Sequence, residues 1–231
     1  MKEIFKRKRR LSKDGSVHVT DEIINTQTHI IAAIFALLGF VILVVKSSIM
    51  GKVWHIVSFS IYGFSLFVLF LFSSMHHGIN ASKKTESLFR LFDYFAIYPL
   101  IAGTFTPLCL VLVRNWFGWS ILGMIWSLAI IGLTIKAIFP LLPKWYSNTI
   151  YISMGWIGGI LALPLLKVLD IYGLLLLLLG GVFYSIGFII FIIEKPNPLP
   201  GKFGFHEIWH ILVILGSLSF YLLMFFFVLP Y

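Results

Sequence analysis

Two histidines four residues apart stand at the mouth of the last hydrophobic segment of this chain. They are His206 and His210, in the run 204–210 (GFHEIWH). On a helix, side chains at positions i and i+4 lie one above the other on the same face, so both imidazoles can reach one metal ion. Ionisable groups at membrane depth are costly and tend to mark function. The spacing therefore predicts a metal-binding pair, with further ligands supplied by other segments.

The same run matches the H-E-x-x-H pattern of zinc metalloproteases, in which the glutamate is the general base. Such enzymes take their third ligand downstream, but residues 211–231 contain no His, Asp or Glu. Any third ligand here must come from upstream. An intramembrane metalloprotease is therefore a minor alternative, with Glu207 as its candidate base.

The composition places these residues in a membrane protein. Of the 231 residues, 59% are hydrophobic and 12% are charged, and the mean hydropathy is +0.98, which excludes a water-soluble domain. The apolar runs are long enough to cross a hydrocarbon core of about 30 Å, which needs about 20 helical residues. We predict an all-α membrane protein, a seven-transmembrane-helix bundle with spans near 28–45, 54–75, 91–113, 119–139, 149–166, 171–193 and 206–228.

The positive charge is concentrated in the first 13 residues. The net charge is +9, and seven of the 18 Lys and Arg residues lie there. A basic run just ahead of a membrane span is typical of a cytoplasmic tail drawn to anionic lipid, not of a nucleic-acid partner. We expect residues 1–20 to be this tail and residues 21–231 to be the membrane domain. No hydrophobic signal-peptide region precedes the tail, so we expect no cleaved signal peptide.

The remaining basic residues predict the orientation. With seven spans and an inside N-terminus, the tail and the second, fourth and sixth loops carry 14 Lys and Arg residues, and the opposite side carries four. Cytoplasmic loops hold the excess of Lys and Arg. We therefore expect a cytoplasmic N-terminus and an extracytoplasmic C-terminus in a multi-pass protein of the bacterial plasma membrane.

This topology brings four polar stretches to the cytoplasmic third of the bundle. They carry Glu22, Asn25, His29, Ser73, His76, His77, Asp93, His206, Glu207 and His210. Zinc takes imidazole and carboxylate ligands in tetrahedral geometry, and a catalytic zinc site keeps three protein ligands and one open position. We predict a zinc site whose three ligands are His77, His206 and His210.

Asp93 and Ser73 are the candidate catalytic residues. Asp93 could hold a water molecule or serve as a fourth ligand, or it could pair with Arg90 one turn back on its helix. Ser73 lies one turn before His77, on the same face, as a donor to a substrate carbonyl. His76 competes with His77 as a ligand, but only His77 shares a face with Ser73.

The sequence leaves undecided the roles of three polar residues at the start of the first span. Glu22 and Asn25 fit a site equally well as they fit ordinary polar groups at a helix start. His29 is a candidate hydrogen-bond donor to the metal ligands.

Together these motifs resemble the three signature motifs of the hemolysin III family, the bacterial relatives of the progestin and adiponectin receptors (the PAQR group). The motifs are Glu22-x-x-Asn25-x-x-x-His29, Ser73-x-x-x-His77 followed by Asp93, and His206-x-x-x-His210. The resemblance covers about residues 20–231. One small departure is His76, where relatives often carry Tyr before the motif histidine.

The resemblance implies a seven-helix bundle with an inside N-terminus and an intramembrane zinc held by His77, His206 and His210. It implies that Asp93 contacts the zinc through water. It also places the family beside the alkaline ceramidases, which are membrane hydrolases of lipid amides. The family name comes from a cell-lysing activity, and a role in membrane-lipid homeostasis has also been attached to its bacterial members.

The leading hypothesis is a zinc-dependent hydrolase of a lipid amide or ester, with membrane lipids as its partners. Two non-enzymatic alternatives remain: a lipid or stress sensor whose structural zinc has four protein ligands, and a membrane-damaging hemolysin that causes cytolysis. A channel is disfavoured because no span interior carries the charges of an ion pathway. The sequence predicts neither the substrate nor the oligomeric state.

Overall fold

The computed structural model describes Lys13 and residues 21–231. These residues form helices and loops, with one isolated β-bridge between Leu199 and Phe203. The helices are α1 (Glu22–Ile49), α2 (Val53–Gly78), α3 (Lys83–Pro107), α4 (Trp116–Ile138), α5 (Lys144–Gly159), α6 (Ala162–Leu165), α7 (Ile171–Ile193) and α8 (Phe205–Leu223). Two π-helical turns, Leu108–Leu112 and Met224–Val228, continue α3 and α8.

Seven of these helical stretches are long and apolar enough to cross a membrane. The third and seventh include the π-helical turns that follow α3 and α8, and the fifth joins α5 to the single turn of α6. The predicted all-α bundle of seven helices is confirmed, while its orientation stays a prediction. Apart from Lys13, the predicted tail of residues 1–20 lies outside the described residues.

Several helices begin well before the predicted spans, because apolar runs mark only the part of a helix that lies in hydrocarbon. α1 begins at Glu22, where the side chain of Asp21 accepts hydrogen bonds from the backbone N–H of Ile23 (2.9 Å) and Ile24 (3.2 Å). Such a cap satisfies N–H groups that have no partner within the helix. The extra turns are polar, and they carry part of the candidate site.

The helices that carry the candidate residues are neighbours. α2 packs against α1 and α3, and α8 packs against α7 and α1. Because consecutive spans run in opposite directions, the starts of α1, α3 and α8 and the end of α2 lie at one end of the bundle. The most peripheral span is α7, whose most apolar stretch is only 11% buried, so its Ile and Leu side chains face the space that lipid would fill.

A candidate metal centre between two helices

Three imidazoles from two helices meet in the protein interior. His77 lies in the last turn of α2, and His206 and His210 lie in the first turns of α8. Nε2 of His206 is 3.2 Å from Nε2 of His77, and one ring nitrogen from each of the three histidines lies within 4.8 Å of the others. All three are at most 4% exposed. The structure therefore brings together the three residues that sequence spacing proposed as ligands.

The donor set fits zinc. Two imidazole nitrogens bound tetrahedrally at about 2.0–2.1 Å from zinc stand about 3.3 Å apart, close to the 3.2 Å between the Nε2 atoms of His77 and His206. Clustered, buried imidazole nitrogens are costly unless a hydrogen bond or a cation satisfies them. The buried histidines could therefore hold a metal ion.

The loop before α8 holds the start of this helix in place through Asn197. Its Oδ1 accepts the backbone N–H of Phe205 (3.1 Å), and its Nδ2 donates to the carbonyl of Glu194 (2.8 Å). The amide thus ties the end of α7 to the first residue of α8. Sequence reasoning missed this residue, although Asn is a common hydrogen-bonding residue in turns.

Glu207 is an anchor between α8 and α1. Its carboxylate accepts hydrogen bonds from the backbone N–H of Gly204 (2.7 Å) and of Asp21 (2.7 Å), and from Nδ2 of Asn25 (3.1 Å). It is 1% exposed. Because its oxygens are bound by N–H donors from two segments, this carboxylate is placed to join the helix starts and not to take a proton from water. The arrangement disfavours the metalloprotease alternative, and it explains Asn25 as the partner of Glu207.

Glu22 reaches the candidate metal ligands from the first turn of α1. Its Oε2 accepts a hydrogen bond from Nδ1 of His77 at 2.5 Å, and its Oε1 accepts one from the backbone N–H of Lys13 at 3.1 Å. Glu22, which the sequence left open between a site member and an ordinary polar group at a helix start, is thus in contact with a candidate ligand.

His29 contributes by packing. Its ring is stacked on that of His210, and it meets Phe70 edge to face with 5.0 Å between centroids. The rings of His29 and His210 are thus in direct contact, and the role of His29 as a hydrogen-bond donor to the metal ligands stays a prediction.

Asp93 lies beside His76 and His77. One oxygen of Asp93 and one ring nitrogen of each histidine lie within 4.8 Å of one another. His76 is 2% exposed, and neither of its ring nitrogens has a hydrogen-bond partner among the described residues. Sequence reasoning treated His76 only as a competitor of His77. Successive helix positions point about 100° apart, so only the placement of α3 shows that His76 is next to Asp93.

Ser73 is 2% exposed and precedes His77 by one turn of α2. It therefore lies in the interior, on the same face of α2 as His77. Its role as a donor to a substrate carbonyl stays a prediction.

Lys13 is a residue that sequence reasoning missed. Its Nζ donates to the carbonyl oxygens of His77 (2.8 Å) and Ile79 (2.9 Å), at the end of α2. The available signal was the basic tail itself, because Lys near a helix C-terminus can bind the last carbonyls. Nothing in the local sequence indicates which helix end the tail would reach.

Comparison with known proteins identifies relatives along nearly the whole chain. A family model described as "Haemolysin-III related" matches residues 17–221. The chain is 42% identical over 212 residues to "Hemolysin-3" of Bacillus cereus, covering 92% of this chain and 94% of that protein. It is 38% identical over 213 residues to the "Hemolysin-3 homolog" of Bacillus subtilis (strain 168), covering 92% and 95%.

A more distant likeness extends to animals. The chain is 26% identical over 200 residues to the human "Monocyte to macrophage differentiation factor", covering 82% of this chain and 76% of that protein.

Proposed function

This chain belongs to the haemolysin-III-related family of membrane proteins, and on that premise we propose that it is a zinc-dependent hydrolase of a membrane-lipid amide or ester, acting in membrane-lipid homeostasis. The observation that carries the proposal is the buried group of His77, His206 and His210, with Asp93 beside His77. Buried ionisable groups inside a membrane bundle mark function. Here they have the types and spacing of a metal site.

The number of ligands favours a catalytic over a structural zinc. The group around the two Nε2 atoms consists of three histidines among the described residues. A structural zinc site is closed by four protein ligands, whereas a catalytic one keeps three and leaves a position for water or substrate. With Asp93 beside His77 acting through water and not as a fourth ligand, the three histidines would hold a catalytic zinc and not the structural zinc of a sensor.

The chain's own residues have separate parts in the proposed reaction. Bound zinc would polarise the substrate carbonyl and make a water molecule more acidic. Asp93 would accept the proton of the attacking water, since its carboxylate lies next to the histidines. Ser73 would donate a hydrogen bond to the carbonyl oxygen as negative charge develops there.

The proposed reaction balances as a simple hydrolysis. The water oxygen bonds to the carbonyl carbon, and the bond from that carbon to the leaving nitrogen or oxygen breaks. The proton taken by Asp93 passes to the leaving atom, so that the products are a fatty acid and an amine or alcohol. The apolar helices around the site would hold the acyl chain.

In the orientation that we propose, the site lies in the cytoplasmic third of the bundle. This orientation rests on the excess of Lys and Arg in the tail and in the even-numbered loops. Alkaline phosphatase fused after Tyr231 is expected to be active, because the enzyme folds only outside the cytoplasm. A fusion that is expressed at a normal level but is inactive would indicate that the C-terminus is cytoplasmic and that the proposed orientation is wrong.

The test of the enzyme proposal combines metal analysis with lipid chemistry on the same purified samples. Wild type should hold about one zinc per chain, and His77→Ala, His206→Ala and His210→Ala should each lose it, because a catalytic zinc keeps only three protein ligands. Reconstituted wild type should release fatty acid from a bilayer lipid, and the three variants should not. Protein that keeps zinc but releases no fatty acid from any lipid offered would exclude the enzyme.

A further inference from the structure

The end of α2 and the start of α1 meet at His77, and two residues hold it there from different sides. Glu22 contacts the imidazole ring, with Oε2 at 2.5 Å from Nδ1. Lys13 contacts the backbone, with Nζ at 2.8 Å from the carbonyl oxygen of His77. The ring and the backbone of one candidate ligand are thus both bound by residues that come before α2 in the chain.

The contact with Glu22 selects which ring nitrogen can bind a cation. A neutral imidazole has one N–H and one nitrogen with a free lone pair. Because a carboxylate oxygen accepts hydrogen bonds, Nδ1 of His77 carries the hydrogen in this contact. The lone pair is then on Nε2, which is the nitrogen that lies 3.2 Å from Nε2 of His206. Carboxylates that bind the second nitrogen of a metal-bound histidine fix its tautomer and ring orientation in this way.

The contacts of Lys13 hold the helix end that carries this ring. The last carbonyls of a helix lack partners within the helix, and a cation there is favourable. Nζ of Lys13 binds two of these carbonyls, those of His77 and Ile79. The backbone N–H of Lys13 also donates to Oε1 of Glu22 at 3.1 Å. One tail residue therefore binds both the backbone of His77 and the carboxylate that orients its ring.

We propose that Glu22 and Lys13 are positioning residues that hold His77 with Nε2 directed at the metal, so that the basic tail contributes to the metal site. The inference rests on the metal site of the proposed function, and it adds a dependence of metal affinity on a residue 64 positions from His77 in sequence. Loss of such a supporting carboxylate lowers metal affinity by about 10–100-fold in comparable sites. We expect this range for Glu22→Ala and a smaller loss, of about 3–10-fold, for Lys13→Ala.

The test uses the full-length protein in detergent, stripped of metal and titrated with Zn²⁺ against a chromophoric chelator. Glu22→Gln keeps an oxygen acceptor and should bind more tightly than Glu22→Ala. Lys13→Arg keeps the charged donor and should recover most of the affinity lost in Lys13→Ala. The matched controls are Glu86→Gln and Lys84→Ala, which change the same residue types at the start of α3; both should bind as wild type.

A second readout separates positioning from general stability. With Co²⁺ in place of Zn²⁺, the visible absorption spectrum reports the geometry of the ligands, and it should change in Glu22→Ala at a saturating Co²⁺ concentration. Wild-type affinity and spectrum in both Glu22→Ala and Lys13→Ala would overturn the inference, as would equal losses in the control variants. His77→Ala is measured in parallel: if it too binds Zn²⁺ as wild type, the metal site itself is wrong, which is a different failure.

Discussion

The ring of His29 lies flat against the ring of His210, with 3.7 Å between centroids and 11° between planes. His29 is on α1 and His210 is on α8, and both are buried. Two stacked imidazoles in an apolar interior exclude water from one side of the histidine group. The first span therefore contributes two side chains to the candidate site: the ring of His29, which covers one side of His210, and the carboxylate of Glu22.

We expect His29 to support His210 by packing and not by binding metal. Replacing a buried ring by Ala leaves a cavity, which costs about 3–5 kcal/mol for aromatic side chains in soluble cores. His29→Ala should therefore lower the melting temperature in detergent, and it should weaken zinc binding about tenfold. His29→Phe keeps the stack and should bind zinc nearly as wild type. Zinc loss in His29→Phe as complete as that in His210→Ala would make His29 a ligand.

The two adjacent histidines of α2 should behave differently. His77 faces His206, with 3.2 Å between the Nε2 atoms, whereas His76 lies with Asp93 and outside the group of three. We expect His77→Ala to lose zinc and His76→Ala to keep it, as measured by metal content after dialysis against a weak chelator. Zinc lost by His76→Ala as completely as by His77→Ala would move the metal to the neighbouring group of His76, His77 and Asp93.

Replacement of Asp93 should separate metal binding from turnover. Asn has the size of Asp but cannot accept a proton from water, so Asp93→Asn should keep zinc and lower the rate of lipid hydrolysis by about 10²–10⁴-fold. Asp170→Asn is the control, because Asn still caps α7 in place of Asp. Membrane leakage that is unchanged in Asp93→Asn, from a protein without hydrolytic activity, would favour the hemolysin alternative.

Glu207 should matter for stability and not for the chemical step. Glu207→Ala leaves the N–H groups of Gly204, Asp21 and Asn25 without their carboxylate, and each buried donor without a partner costs about 1–3 kcal/mol. Glu207→Ala should therefore lower the melting temperature strongly. Glu207→Gln keeps one oxygen acceptor, and it should retain lipid hydrolysis at temperatures where it is folded. A folded, zinc-loaded Glu207→Gln protein without activity would make Glu207 the base.

Any side chain in place of Gly118, near the start of α4, should destabilise the protein. A Cβ there would lie 1.9 Å from the carbonyl oxygen of Val113, which is backbone and cannot rotate away. On the same helix, a Cβ on Gly123 meets nothing within 4 Å. Gly118→Ala should lower expression and the melting temperature, while Gly123→Ala should match or exceed wild type, because Ala favours helix by about 1 kcal/mol over Gly. Equal stability of the two variants would contradict the close packing of α4 against the preceding turn.

The sequence was sufficient for the class of fold. Apolar runs of spanning length leave few arrangements other than a helical bundle, because backbone groups in lipid must be satisfied within each helix. It was also sufficient for the pair His206 and His210, since helix geometry alone places positions i and i+4 on one face. Both inferences depend on local periodicity and length, which the chain shows directly.

Other features depended on how the helices pack. The sequence did not indicate which of Glu22 and Glu207 contacts the candidate metal ligands. In the structure the carboxylate of Glu22 binds the ring of His77, and that of Glu207 binds the backbone before α1 and so joins α8 to α1. Nor did the sequence indicate that Lys13 would reach the end of α2. These are contacts between residues far apart in the chain, and they are fixed by the relative positions of whole helices. Local sequence determines where a helix begins and which way each side chain faces, but only the packed bundle determines what each side chain meets.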